Sequence, residues 1–230
     1  MHIIATEQVS SDCMKVETDG APVFFMRTVY LSTLAVERIH AGEELDEEAA
    51  LDLLDASLAF AAEKKALDYL ARREHSRKEL ERKLLQKGMQ KAAVFRALDY
   101  LEARRFLSDE RFAESWLRTH TLTKAQGRSR LLSELLSRGV SREIAGEALD
   151  AFFAEHDADA LCERAVEKAL RVGKRDEKLV QSLLQSGFTY RQIKQALSAW
   201  ESKNCGEMLL NRLTCLSADR SVNLHFLVRT

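Results

Sequence analysis

A single proline and nine glycines in 230 residues leave little to interrupt a helix. Cysteine is sparse. Cys13, Cys162, Cys205 and Cys215 form no Cys-x-x-Cys pair and have no histidine at zinc-finger spacing, so neither a metal site nor a redox motif is expected. Free thiols of a reducing compartment fit that pattern. No apolar run approaches the roughly eighteen residues that a membrane span needs. The opening MHIIATEQVSSDCMKV lacks the basic and apolar regions of a signal peptide. These absences lead to the expectation of a cytoplasmic protein with no membrane partner. Catalytic signatures are missing as well: there is no Gly-x-Gly-x-x-Gly, P-loop, His-Glu-x-x-His or Gly-x-Ser-x-Gly. The six histidines are scattered; His75, beside a helix start, reads as structural or solvated. The acidic run Glu43–Glu48 lies at a helix start, where dipole compensation accounts for it. No enzyme and no cofactor are expected.

What the chain does contain is repetition. Leu84-Leu85, Gly88, Met89 and Ala97-Leu98 return as Leu135-Leu136, Gly139, Val140 and Ala148-Leu149. They return again as Leu183-Leu184, Gly187, Phe188 and Ala196-Leu197. Periods of 51 and then 48 residues mark one supersecondary unit copied along the chain. Each copy reads as a helix packed by its leucine pair, a glycine stop, a short turn and a second helix. After the turn, Val94, Ala97, Leu98 and Leu101 fall at i, i+3, i+4 and i+7. Ala145, Ala148, Leu149 and Phe152 repeat that stripe, as do Ile193, Ala196, Leu197 and Trp200. Trp116 and Trp200 lie on apolar stripes and read as core residues.

A leading helix precedes each pair, carrying Ala66, Leu67, Tyr69 and Leu70, then Phe112, Ala113, Trp116 and Leu117, then Leu161, Ala165, Val166, Ala169 and Leu170. Ser76-x-x-Glu79 and Thr189-x-x-Gln192 are capping boxes. Asp46, Ser108 and Ser141 are further N-caps, and Asp157 or Asp159 opens the third leading helix. Thr121–Ser129 is a longer connection whose Gly127 suggests a flexible joint. Ahead of the repeats, residues 1–13 read as frayed. Strands are expected near 14–18 and 23–30 around Asp19-Gly20, followed by a helix over Ser32–His40. The fold class is therefore all-α, about three-quarters helical: three tandem three-helix, helix-turn-helix-like units behind a short β-hairpin-like extension. The expected segments are 1–56 for the extension, 57–106, 107–156 and 157–203 for the repeats, and 204–230 for a tail. That tail holds a short helix at Glu207–Leu213 and an extended end at Asn223–Val228.

Charge is unevenly spread. Residues 1–62 carry 3 Lys/Arg against 12 Asp/Glu, whereas 63–130 carry 18 against 10, a balance of +8. The acidic extension can fold back on the basic repeat or shield it, and the sequence leaves both open. In Arg77–Lys87, with Leu80 and Leu84 inward, Lys78, Arg82 and Gln86 form the opposite face, flanked by Lys83 and Lys87. Arg72, Arg73, Arg104 and Arg105 add cations near helix ends, and Arg128 and Arg130 close the basic stretch. Such a surface suits a polyanion or an acidic protein; the bland alternative is a solvated helix face. Base readout wants Arg, Asn or Gln from one face, but the third helix of the first repeat offers a mixed set: Lys91, Arg96 and Asp99.

The stretches ALDYLARREHSRKELERKLLQKG, LSDERFAESWLR, SELLSRGV and LLQSGFTYRQIKQAL resemble the RecX family of recombination regulators. The resemblance implies tandem three-helix units and a non-enzymatic modulator of the RecA recombinase. Such a modulator lies in the groove of the RecA filament on single-stranded DNA. There it inhibits ATP hydrolysis, strand exchange and co-protease activity, and so bears on recombination, DNA repair and the SOS response. The chain departs from the family in being near neutral overall, so direct DNA binding is expected to be weak. The expected actor is a monomer whose partner-binding cations are Arg72, Arg73, Arg77, Lys78, Arg82, Lys83, Lys87, Arg104, Arg105, Arg128 and Arg130. The alternative is a helix-turn-helix regulator acting on duplex DNA alone.

Overall fold

Helices begin where capping side chains take up amides that no helical carbonyl can reach. In the computed structural model, which describes residues 1–174 and 176–203, the Asp46 carboxylate accepts the amide of Ala49 at 2.8 Å. It opens α1 (Glu47–Leu70). Ser76 accepts from the Glu79 amide at 3.1 Å ahead of α2 (Arg77–Gln86), and α3 (Lys91–Ala103) completes the first group. Ser108 takes the Arg111 amide at the start of α4 (Asp109–Thr123). Next come α5 (Arg128–Ser137) and α6 (Arg142–Glu155), the latter capped by Ser141. Asp157 caps α7 (Ala158–Arg171), and α8 is Asp176–Gln185. A reciprocal Thr189–Gln192 box opens α9, residues 190–203. Among the described residues this gives three three-helix groups and 64% helix. The shortfall from three-quarters lies in residues 1–46, whose helical content is two 3-10 turns. The tail elements expected at Glu207–Leu213 and Asn223–Val228, with Cys205 and Cys215, lie outside the described residues.

The three repeat glycines are left-handed, at φ +79° for Gly88, +90° for Gly139 and +88° for Gly187, as a helix stop requires. The leucine pairs need correction. Leu84, Leu135 and Leu183 are buried, whereas Leu85 is 37% and Leu184 44% exposed. Adjacent helical residues point about 100° apart, so only one of each pair faces the core. The stripe residues Val94, Ala97, Leu98 and Leu101 are all buried, as are their counterparts from Ala145 to Phe152.

The described chain falls into two compact units, Met1–Ser115 with Leu135–Ala145, and Trp116–Glu134 with the described residues from Gly146 onward. In the first unit an antiparallel sheet of order β1-β2-β3 is built from Ile3–Gln8, Cys13–Thr18 and Phe24–Arg27. Residues 1–13 are thus not frayed. β1 pairs with β2, and the Ile3 amide and carbonyl also bond Glu43 and Gly42. Ile3, Met14, Val16 and Met26 turn inward and join Leu53, Ala56 and Ala59 of α1 in one core. The far end of α1 contributes Ala62 and Ala66 to a second core with Leu80, Leu84, Val94 and Leu98. α1 runs unbroken through residues 56 and 57, so one helix serves both the extension and the first repeat. The extension folds back on the first repeat: Arg27 of β3 bonds Glu63 of α1 at 2.7–3.0 Å, and Asp12 receives Arg104 at 3.6 Å.

The helix expected over Ser32–His40 is also absent, and only single 3-10 turns form, at Thr28–Tyr30 and Val36–Arg38. The amides of Ser32, Thr33 and Leu34 donate instead to the Asp52 carboxylate at 2.8–3.0 Å. A buried acid from α1 takes up what would have been the first turn. In the second unit Gly127 is a packed contact rather than a flexible joint. Its amide donates to the Ser186 carbonyl at 2.8 Å, and a Cβ there would collide with the Gly187 carbonyl.

Two outcomes follow for stability. Leu135→Ala removes a fully buried side chain and is expected to cost about 2–5 kcal/mol, whereas Leu85→Ala is expected to cost less than about 1 kcal/mol; urea denaturation midpoints measure both. Asp52 is held below the ordinary carboxylate range: burial opposes ionisation, but the amides of Leu34, Thr33 and Ser32 and the charge of Arg96 outweigh it. A depressed carboxylate contributes stability that is present above its unfolded pKa of about 3.9 and is lost as pH falls through the folded value. Asp52→Asn is expected to flatten the acid limb of a pH–stability curve at the cost of about 1.5–3 kcal/mol at neutral pH.

Candidate functional site

The end of α1 and the solvent face of α2 gather cations. Leu80 and Leu84 are fully buried, which turns Lys78, Arg82 and Gln86 outward, all three exposed. Lys83 sits at the edge of this face. Its ammonium lies 4.7 Å from the Tyr69 ring centroid and 3.4 Å from His75 Nε2. Burial first, then the guanidinium of Arg73 and those of Arg82 and Arg72, hold its pKa below the usual lysine range against the pull of Glu79. Four like charges are therefore close enough to feel one another, a cost that the fold sustains.

His75 is the pivot beneath them. It is 2% exposed, and its Nδ1 lies 2.9 Å from Glu79 Oε2. A carboxylate only accepts and an ammonium only donates. The neutral ring with its proton on Nδ1 satisfies both neighbours at once. Glu79 also receives Arg73 at 3.2 Å. The capping box is therefore one-armed: the Ser76 hydroxyl takes the Glu79 amide, while the Glu79 carboxylate turns to His75 and Arg73. The Ser76 hydroxyl itself donates to the Arg138 carbonyl at 2.7 Å, and Lys78 lays its stem over Gly139 so closely that a Cβ there would collide with it. The α2 surface is thus braced from below by backbone as well as by side chains.

The eleven cations expected to bind a partner divide into three sets. Arg72, Lys78, Arg82 and Lys87 are exposed and form no ion pair among the described residues; Arg73 and Lys83 join them through His75 and Glu79. Arg77 is instead committed to Asp99 at 2.6 Å and to Glu102. Arg104 reaches Asp12 at 3.6 Å and lies over the Tyr100 ring. Arg105 is exposed at the turn after α3, where its backbone adopts φ 58° and its carbonyl accepts from Arg111. Arg128 and Arg130 belong to the second unit, paired with Asp150 and Glu134 at 2.7 Å each. Sequence reasoning missed Tyr69 and Glu79 as parts of the surface. Tyr69, which the apolar stripe claimed for the core, has its ring centroid 5.6 Å from the Lys65 ammonium and 4.7 Å from that of Lys83.

Among the described residues no three His, Cys, Asp or Glu side chains gather as metal ligands would, and no helix is long and apolar enough to cross a membrane. Cys13 and Cys162 are free and buried; burial pushes the Cys162 thiol up to about 11, far from a reactive thiolate.

Burial, with the charges of Arg73 and Lys83, lowers the His75 pKa below its ordinary value in spite of Glu79. Because the unfolded chain then binds more protons, stability is full above about pH 7 and falls as pH drops through about 6.5. His75→Gln is expected to remove that limb. Urea titrations at pH 7.5 and 5.5 measure it, and an equal loss in parent and variant over that interval would assign the effect elsewhere.

Comparison with known proteins places the chain. Residues 62–101 match the family model for the first three-helix domain of RecX, and 108–149 that for the second. The regulatory protein RecX of Treponema pallidum (strain Nichols) is 36% identical over 143 residues, 62% of this chain and 87% of that protein. That of Bacillus licheniformis is 31% identical over 186 residues, covering 77% of this chain and 69% of its own. A crystal structure of regulatory protein RecX superposes with a TM-score of 0.65 over 84% of this chain and 98% of its own at 24% identity, which speaks for the fold alone. RecX from Lactobacillus salivarius gives 0.53 at 26% identity over 63% of this chain and 97% of its own. With its repeats, its capped helix starts and most of a relative's length matched, the chain belongs to the RecX family of regulatory proteins.

Proposed function

We propose that this chain is a non-enzymatic regulator that binds the RecA filament on single-stranded DNA and inhibits its ATP hydrolysis, strand exchange and co-protease activity. It does so as a cytoplasmic monomer. The observation that carries this reading is the cluster of Arg72, Arg73 and Arg82 around Lys83, with Lys78 and Lys87 exposed on the same helix. Its charges are kept together at the surface without enough acid to neutralise them, and an external anionic surface supplies the missing counter-charge. The extension and the three repeats, divided as 1–56, 57–106, 107–156 and 157–203, are the proposed modules, with 204–230 outside the described part. Many modest contacts made by such modules sum to one avid interaction.

The reading as a helix-turn-helix regulator of duplex DNA is less well supported by the side chains. On α3, the helix that would enter a groove, Arg96 is turned to the Tyr30 carbonyl and the Ser32 hydroxyl. Asp99 is paired with Arg77, and the Lys91 ammonium lies 5.5 Å from the Phe95 ring centroid. Little of that face is left to read bases.

The double substitution Lys78→Glu/Arg82→Glu tests the docking surface. Both side chains are exposed, and Glu keeps the Cβ and Cγ that Lys78 lays over Gly139, so stability is expected to change by no more than roughly 0.5 kcal/mol for each. Binding is expected to weaken by several kcal/mol as like charges meet at the interface. Co-sedimentation with RecA on single-stranded DNA, beside a RecA ATPase titration, measures the effect. Equal inhibition by parent and variant would remove this surface from the interaction.

A further inference from the structure

The second unit holds a concave site that the cationic face of the first does not involve. It is a cleft of about 910 Å³, with Leu132, Phe153 and Phe188 among its apolar walls and Arg128, Arg191 and Asp159 among its charged ones. That volume is within the usual range for ligand clefts. Phe188 is buried, and Phe153 packs edge-on against Phe152 with centroids 5.2 Å apart, so the walls are fixed by the core. α5, α7 and α9 all begin at its rim, through Arg128, Ala158 and Arg191. Arg128 already holds Asp150 at 2.7 Å. Arg191 is exposed and has no ion pair among the described residues.

We infer that this cleft is a docking site for a short peptide segment of a partner protein, one that combines an apolar side chain with an acidic one. The apolar residue lies against Leu132, Phe153 and Phe188, and the carboxylate meets Arg191 at the start of α9, where the helix dipole adds to the attraction. Asp159 decides between a peptide and a nucleic acid. A strand of phosphates would set a full negative charge against that carboxylate and would need exposed ring faces for its bases. One ring here is buried and the other is packed edge-on. A peptide, by contrast, has backbone N–H groups to offer Asp159 while its acid meets Arg191.

The test uses the full chain on an array of random dodecapeptides, with the best binders then titrated by fluorescence anisotropy. Enrichment of Asp or Glu together with Leu or Phe is expected. Two variants locate the site. Arg191→Glu places an acid in the first turn of α9, where a helix favours it, so the variant keeps its fold and repels the peptide's acid. Gln195→Trp fills the cleft from an exposed position. Each is expected to weaken binding at least tenfold with an unchanged melting profile. A flat array, a preference for basic peptides, or undiminished binding by both variants would overturn the inference. So would an oligothymidylate that binds the parent and is lost in the variants while no peptide binds.

Discussion

The first unit depends on a buried ion pair. Glu63, in the middle of α1 and almost wholly buried, receives the Arg27 guanidinium from β3 and the Tyr30 hydroxyl at 2.9 Å. The Arg27 guanidinium also reaches Asp12 at 2.8 Å and lies 5.5 and 5.0 Å from the Phe60 and Tyr100 ring centroids. A pair of this kind contributes little net stability, because two charges must leave water to form it. Its effect is positional. Removing one partner strands a charge in the interior at about 3–5 kcal/mol, so other ways of laying the sheet on α1 are penalised.

Several departures from simple helical patterning follow from that anchoring. With β3 fixed on α1, residues 31–34 pass over Asp52, which takes three of their amides and stops a local helix from forming. The same helix then carries one apolar face under the sheet and another under α2 and α3. Arg96 is drawn to the Tyr30 carbonyl, and Tyr100 donates to Asp12 at 3.1 Å. Side chains of α3 that would otherwise be exposed are thereby tied to the extension.

Tertiary contacts also sort the charges. Arg27, Arg77, Arg96 and Arg111 are used up in internal contacts, whereas Arg72, Arg82, Lys78 and Lys87 are left to solvent. The basic balance of residues 63–130 thus overstates the surface available to a partner and understates its focus. His75 and Glu79 concentrate what remains: the neutral ring joins an acid to an ammonium, and the carboxylate holds Arg73 at the edge of the patch.

The sequence alone determined the repeat, because its signals are local. A left-handed glycine after a leucine, a hydroxyl or carboxylate three residues before a helical amide, and an i, i+3, i+4, i+7 stripe each act within one or two turns. Those positions stand where the pattern puts them: Gly88, Gly139 and Gly187 stop helices, and Asp46, Ser76, Ser108 and Ser141 start them. It also put Lys78 and Arg82 on the outer face of α2, since Leu80 and Leu84 fix the inner one. Tertiary structure decided whatever relied on a distant partner. β1 exists because β2 and residues 42–45 complete its hydrogen bonds. The Ser32–His40 helix is lost to an acid some twenty residues away. Gly127 is a packed contact because its amide meets the Ser186 carbonyl, far along the chain. Which arginines remain available was likewise undecidable from composition, because an ion pair depends on the side chain that the fold brings opposite and not on the neighbour in sequence.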